Sequence, residues 1–320
     1  MTASRTIKEL PGLRQLLSEH LPWSPRDYVQ GISRQGDRAI HAEQLTAEMA
    51  RGDDLRAVVT LADGGEIVVF AERLPWDSEF FGYGVARLNG IFPLSAPWHR
   101  PMADSRVAVE WLCEEAARRD VTYLFAVVDP RDLSTTRALG ESGFALIETR
   151  FYHFGQIDQP VFTERLPVRK ATENDIPSLA KAASGTVNIY DRFHADPFIT
   201  EQDALRLMEK WVEQSVTGQL ADVVIVPDVS EPGALVTYRY HRDKWDRWGL
   251  QLVQGVFSAV APEFKGWMGK LGPEVNYHLL GVGARCSYGS TQVANRPIIW
   301  FAEEAGARFG KCEYIFRRIL

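Results

Sequence analysis

Two stretches of this chain end alike, and that repetition constrains the fold more than any other feature. The first reads Leu139-Gly-Glu-Ser-Gly143-Phe144 and runs into an alternating segment ending Phe151-Tyr-His-Phe154. The second reads Ala302-Glu-Glu-Ala-Gly306-Ala307 and runs into one ending Tyr314-Ile-Phe316. Gly143 and Gly306 stand 163 positions apart, and the same offset matches Asp132 to Asn295 and Phe151 to Tyr314. A helix closed by a left-handed glycine and followed by a strand is one supersecondary unit. Its recurrence predicts duplication of an α/β unit. A chain of 320 residues also exceeds what one core usually fills.

The pattern between the repeats divides the chain into a helical segment over 1–55, an α/β domain over 56–155 and a second over 167–320. Leu10, Leu13, Leu16 and Leu17 recur at helical spacing, and Pro22 and Pro25 break it. Leu55–Leu61 and Glu66–Ala71 flank Asp63-Gly64-Gly65 and read as a hairpin. Arg106–Arg119 reads as a helix capped by Asp104 or Ser105, and Tyr123–Val128 as a buried strand. Gln156–Leu166 is polar, contains Pro160 and serves as the linker. Beyond it, Val168–Ala171, Val223–Val226, Ala234–Tyr240, Leu250–Val260, Ser287–Val293 and Lys311–Arg317 read as strands. Thr172–Asp175 with Ile176-Pro177 starts a helix.

Lys and Arg number 36 against 42 Asp and Glu, so the net charge is −6. That balance argues against broad nucleic-acid binding, which requires a basic face. The three cysteines, Cys113, Cys286 and Cys312, share no CxxC-type spacing. They form neither a disulfide framework nor a zinc site, and they suit a reducing cytoplasm. No signal peptide is visible, and no run approaches the ~20 apolar residues of a membrane span.

Two motifs carry a resemblance to a family. Ser290-Thr-Gln-Val-Ala-Asn295 precedes the helix that Gly306 closes, and Val260-Ala-Pro262-Glu-Phe-Lys265-Gly266 follows a strand. Both are similar to motifs of the GNAT family of acyl-CoA-dependent N-acyltransferases. Leu74-Pro-Trp76-Asp-Ser-Glu-Phe80-Phe81-Gly82 and Arg192-Phe193-His194-Ala195-Asp196-Pro197 are similar to segments of family members that acetylate amino sugars on nucleotides. The resemblance spans about residues 70–320. It implies a GNAT fold, a mixed and mostly antiparallel sheet flanked by helices, preceded by a degenerate half-domain. It implies acetyl-CoA or another acyl-CoA as cosubstrate, no metal, and a small-molecule amine as acceptor, with a homodimer left open. Ser258 and Val260 would hold the pantetheine arm by their backbone, as an added strand does. Lys265, Gly266, Gly269 and Lys270 would meet the pyrophosphate, and Asn295 the pantetheine.

The departures are two. Met268 stands where the family's loop has a second small residue, with Gly269 one place late, so the helix is expected to begin near Pro273. Ala302 stands where many members carry a tyrosine that protonates the leaving thiolate. Tyr238 and Tyr240 are the candidates for that missing acid, or residues of a half-buried strand. His194 is the candidate base, or a loop histidine bonded to backbone. Arg192 and Asp196 are acceptor-binding candidates, or a local ion pair. Trp76 and Phe81 are candidates for an acceptor wall, or for the joint between the halves. Met268 and Ala302 also keep open a non-acetylating protein of the same fold, a binding protein or a reused pocket.

Overall fold

The computed structural model describes residues 4–6, 13–21, 23–51, 55–94, 102–158 and 165–320. Leu10, Pro22 and the middle of the expected linker lie outside them. The elements are, in chain order, β1 (Ser4–Thr6), α1 (Leu13–His20), α2 (Arg34–Ala50), β2 (Arg56–Thr60), β3 (Glu66–Arg73), α3 (Pro75–Phe81), β4 (Gly84–Pro93), α4 (Met102–Arg118), β5 (Val121–Val128), α5 (Leu133–Glu141) and β6 (Ala145–Gln156). There follow β7 (Val168–Lys170), α6 (Ile176–Ser184), α7 (Arg192–Ala195), α8 (Glu201–Val216), β8 (Val223–Pro227), β9 (Ala234–Arg239), α9 (Trp245–Trp248), β10 (Leu252–Val260), α10 (Trp267–Gly281), β11 (Cys286–Gln292), α11 (Arg296–Glu304) and β12 (Arg308–Ile319).

These elements form two compact units. The first comprises 1–27, 34–149 and 312–320, the second 28–33 and 150–311. The unit boundaries fall inside β6 and β12. In the first unit the strands run β1-β2-β3-β4-β5-β12, and in the second β6-β11-β10-β9-β8-β7. Each unit has one parallel pair, β4 with β5 and β10 with β11, among antiparallel neighbours. The last strand of the first repeat, β6, pairs with β11 through residues 150–156. The last strand of the second repeat, β12, pairs with β5 through Tyr314–Ile319. The repeats thus exchange their final strands.

Period-2 alternation builds the first unit's core. Ala57, Val59, Ile67, Val69 and Ala71 face one way, onto Val109 and Leu112 of α4 and Leu139 of α5. Their neighbours Val58, Val68 and Phe70 face Leu17, Leu45 and Met49 of α1 and α2. In the second unit Val223, Ile225, Val236 and Val253 pack on Leu271, Val275 and Leu279 of α10. Helices α6 and α8 pack together, α6 against β9 and β10 and α8 against β8.

Four expectations need correction. The N-terminal segment is not wholly helical, because Ser4–Thr6 pairs with β2. Asp104 and Ser105 do not cap α4 but lie inside its first turn, since the helix starts at Met102. The RFHADP segment is not wholly loop: Asp191 caps a one-turn helix by accepting the Phe193 and His194 amides. Finally, α10 starts at Trp267 instead of near Pro273. Gly266, at φ +90°, turns the chain directly into the helix, a conformation glycine adopts without a Cβ penalty. Gly143 and Gly306, at φ +78° and +76°, close α5 and α11 alike.

Candidate active site

The second unit's parallel pair does not stay a pair. Leu252, Val253 and Gln254 of β10 register with Cys286, Ser287 and Tyr288 of β11, and the pairing stops there. β11 continues straight, held by β6 through Gln292 opposite Arg150. β10 bends away, because its register with β9 shifts between Gly255 and Phe257. Val256 is the extra residue of a bulge, and a bulge turns its strand. The Thr237 hydroxyl fills it, accepting the Phe257 amide at 2.9 Å and donating to the Phe257 carbonyl at 3.1 Å. Phe257 therefore directs its peptide groups at β9. By strand alternation, Ser258 and Val260 direct theirs to the side β11 has vacated. The Thr186 hydroxyl, just past α6, donates to the Val260 carbonyl at 3.2 Å.

Beyond β10 the chain reaches Gly266 and the first turn of α10. The amides of Trp267, Met268 and Gly269 have no carbonyl of their own helix to bond, and they favour an anion. Lys265, Gly269 and Lys270 are exposed, with the Lys270 ammonium 4.8 Å from the Trp267 ring centre. Asn295 ends the stretch after β11, and its amide donates to the Thr291 hydroxyl at 2.9 Å. Gly272 of α10 lies against α11: a Cβ there would stand 3.0 Å from the Phe301 ring. Ala302 is buried. Ser258, Val260, the Lys265-Gly266 turn with the first turn of α10, and Asn295 thus belong to one parallel pair and the two helices that follow its strands. An extended chain of amides could add to the free side of β10, with an anion at the start of α10.

His194 is nearly enclosed. Its Nδ1 donates to the Asp191 carboxylate at 2.7 Å, and Nε2 is buried without a hydrogen-bond partner. Phe193 beside it meets Trp211 edge-on, and Trp211 meets Phe257 of the bulge the same way. The Arg192 guanidinium sits 4.5 Å from the Phe193 ring centre. Asp196 is buried and accepts the Phe198 amide at 3.0 Å. Trp76 and Phe81 lie in the first unit, Trp76 stacked on Phe80 and Phe81 on Tyr83.

The two tyrosines sit in different surroundings. Burial pushes the Tyr238 phenol up to about 12. Tyr240 bonds the His278 Nε2 at 2.7 Å. Burial, then Lys170, lowers the His278 pKa and favours a neutral ring that accepts that bond. Burial also raises the Cys113 thiol, and raises Cys286 to about 11, so neither is a thiolate near neutral pH. Among the described residues no cluster of three or more His, Cys, Asp or Glu could hold a metal, and no helix is long and apolar enough to cross a membrane.

Sequence reasoning missed Asp191, Thr237, Gln254 and Tyr288. Asp191 had a signal, since Asp before a short helical run is a preferred cap. The others had none, because their partners are remote in sequence.

No protein-family model matches the sequence, and no curated protein matches it. Among solved structures, the chain is similar to a GCN5-related N-acetyltransferase from Sphaerobacter thermophilus, with a TM-score of 0.61 and 13% identity over 99% of this chain and 95% of that one. It is also similar to a tandem GNAT protein from the clavulanic acid biosynthesis pathway, determined without AcCoA, with a TM-score of 0.56 and 14% identity over 100% and 98% of the two chains. With its parallel pair parting at a bulge, and with likeness to such structures along its whole length, this chain has the GNAT fold, a mixed and mostly antiparallel sheet flanked by helices, built twice.

Proposed function

We propose that the chain is an acyl-CoA-dependent N-acyltransferase that passes an acyl group, most simply acetyl, to the amine of a small acceptor. One observation carries this reading: β10 leaves β11 at the Val256 bulge, and its open backbone leads to the N-terminus of α10. Pantetheine is a chain of amides and fits such a backbone, with Ser258 and Val260 as its partners. The first-turn amides of α10, with Lys265 and Lys270, suit a pyrophosphate, and Asn295 flanks the arm. Bound there, acyl-CoA supplies a thioester carbonyl beside the bulge.

His194 is the proposed proton acceptor. Asp191 fixes its tautomer and orientation, so the basic nitrogen is Nε2. The β10 backbone near the bulge serves as hydrogen-bond donor to the oxyanion. A thiol with pKa near 8.5 leaves without a dedicated acid, so Ala302 and the engaged tyrosines are no obstacle. Arg192 stands beside His194 as an acceptor contact. The likeness of residues 74–82 and 192–197 to segments of dTDP-fucosamine acetyltransferase favours an amino sugar on a nucleotide as acceptor, ahead of an amine of a natural-product pathway. Met268, at the turn that would meet the pyrophosphate, favours a second reading in which the same fold binds a ligand without acetyl transfer.

Calorimetric titration of acetyl-CoA separates the two. Micromolar binding that weakens about fivefold in Asn295→Ala, the worth of one hydrogen bond of about 1 kcal/mol, supports the transferase. No binding by the folded wild type favours the second reading.

A further inference from the structure

The second unit carries an open cleft of about 590 Å³ that the proposed acyl-CoA path does not use. Its walls include Arg239, His241, Arg242 and Lys244 from the end of β9 and the turn after it, and Gln254 and Val256 from β10. Val256 is the bulge residue, and Gln254 is the last position paired with β11. The cleft therefore opens where the two strands part. The far end of β10, Val260, lies about 20 Å from Gln254 at roughly 3.3 Å per residue, and the chain goes on from there to the turn at Gly266. An arm laid from that turn along β10 delivers its thioester end next to the cleft.

The wall is built, not incidental. His241 is one of two non-glycine residues in the left-handed region among the described residues, at φ +53°. Such a conformation persists only where its surroundings enforce it. Here they do: His241 Nε2 donates to Gln254 Oε1 at 2.9 Å, and the same oxygen accepts the Tyr288 hydroxyl at 3.0 Å. The His241 ring meets Trp248 edge-on and stacks on Tyr288, with centroids 5.7 and 6.5 Å apart.

The charge of the wall is the opposite of the chain's. Three cations line it, on a protein with a net charge of −6. Two carboxylates, Asp222 and Asp243, also line it, and Asp222 is committed to the Tyr240 amide at 2.6 Å. Two arginines and a lysine along one cleft match a phosphate better than a single carboxylate, because the guanidinium fork pairs with phosphate oxygens bidentately.

We propose that this cleft is the acceptor subsite and that the acceptor is a phosphorylated amine, its phosphate held by Arg239, Arg242 and Lys244 and its amine presented at Val256. The acceptor role rests on the acyl-transfer reading above. The binding chemistry is tested separately, on the full chain, by calorimetry with glucosamine 6-phosphate and inorganic pyrophosphate, with glucosamine and citrate as controls and acetyl-CoA titrated in parallel. Both phosphates are expected to bind at least tenfold more tightly than either control. Arg242→Ala with Lys244→Ala should weaken them at least tenfold and leave the acetyl-CoA affinity within twofold. Arg242→Glu, at an exposed side chain whose guanidinium also lies 5.3 and 5.8 Å from the Tyr240 and Trp245 ring centres, should reproduce the loss in a protein that still melts cooperatively. Equal binding of glucosamine and its phosphate, tighter binding of citrate, or undiminished phosphate binding in the double variant overturns the proposal. Acetyl-CoA binding without phosphate binding overturns the subsite alone. Phosphate binding without acetyl-CoA binding overturns the transfer reading, and the acceptor role with it.

Discussion

His194 owes its position to one neighbour. Asp191 accepts its backbone amide and its ring Nδ1, so cap and orienter are the same carboxylate. If Nε2 takes the proton of the acceptor amine, His194→Ala should lower kcat/KM by about 10²–10⁴ at neutral pH while acetyl-CoA affinity holds. Melting temperature and rates measured on one preparation decide it, since a full rate per folded molecule removes the base. Asp175 offers a separate test of stability. Its carboxylate pairs bidentately with Arg169 at 2.7 and 2.8 Å and accepts the Thr172 amide and hydroxyl, which holds its pKa at about 2. A lowered folded-state pKa stabilises above the unfolded value near 4 and ceases to as pH falls through about 2. Acid titration of the melting temperature should therefore show a decline between pH 4 and 2 that is shallower in Asp175→Asn. At this scale the sequence displayed residues whose structure is local: the left-handed Gly143 that closes α5, and the helix start at Thr172–Asp175. Gln254, Tyr288 and His241 were illegible as a group, because strand pairing and a tight turn bring them together from three separate segments.

One hydroxyl governs the shape of β10. Thr237 gives the Phe257 amide and carbonyl their partner where the strand register slips, and it is itself buried. Thr237→Val keeps the volume and leaves both peptide groups unpaired, at a cost of about 1–3 kcal/mol. The expected outcome is a melting temperature lowered by several degrees and a weaker acetyl-CoA affinity, with Thr237→Ser restoring most of both. A Val variant with unchanged affinity would show that the bulge forms without the hydroxyl. Element types were largely legible from period and punctuation, and boundaries less so. Pro273 suggested a helix start, yet it sits in the second turn of α10, where the preceding Gly266 had already set the chain into the helix. The short strand Ser4–Thr6 carried no such pattern, being defined by its pairing with β2.

Duplication was visible in the recurring glycine and the strand after it, but the exchange of the final strands was not, since sequence order assigns each strand to its own repeat. Ile315 and Phe316 of β12 are buried in the first unit's sheet, opposite Val127 and Ala126. Deleting 312–320 should therefore damage the unit far from it in sequence. Hydrogen exchange read by mass spectrometry should show protection lost across Val121–Val128 and retained across Leu252–Val260. Loss confined to 286–304 would contradict the exchange. The same arrangement sets a schedule for synthesis. Residue 149 leaves the ribosome roughly 160 residues before residue 312, an interval on the order of ten seconds or more at typical elongation rates. Through that interval the first unit waits one strand short, with the β5 edge open to any extended segment that passes. A stall in translation between the two repeats would therefore release a product with an open strand edge, prone to aggregate, instead of a smaller folded protein.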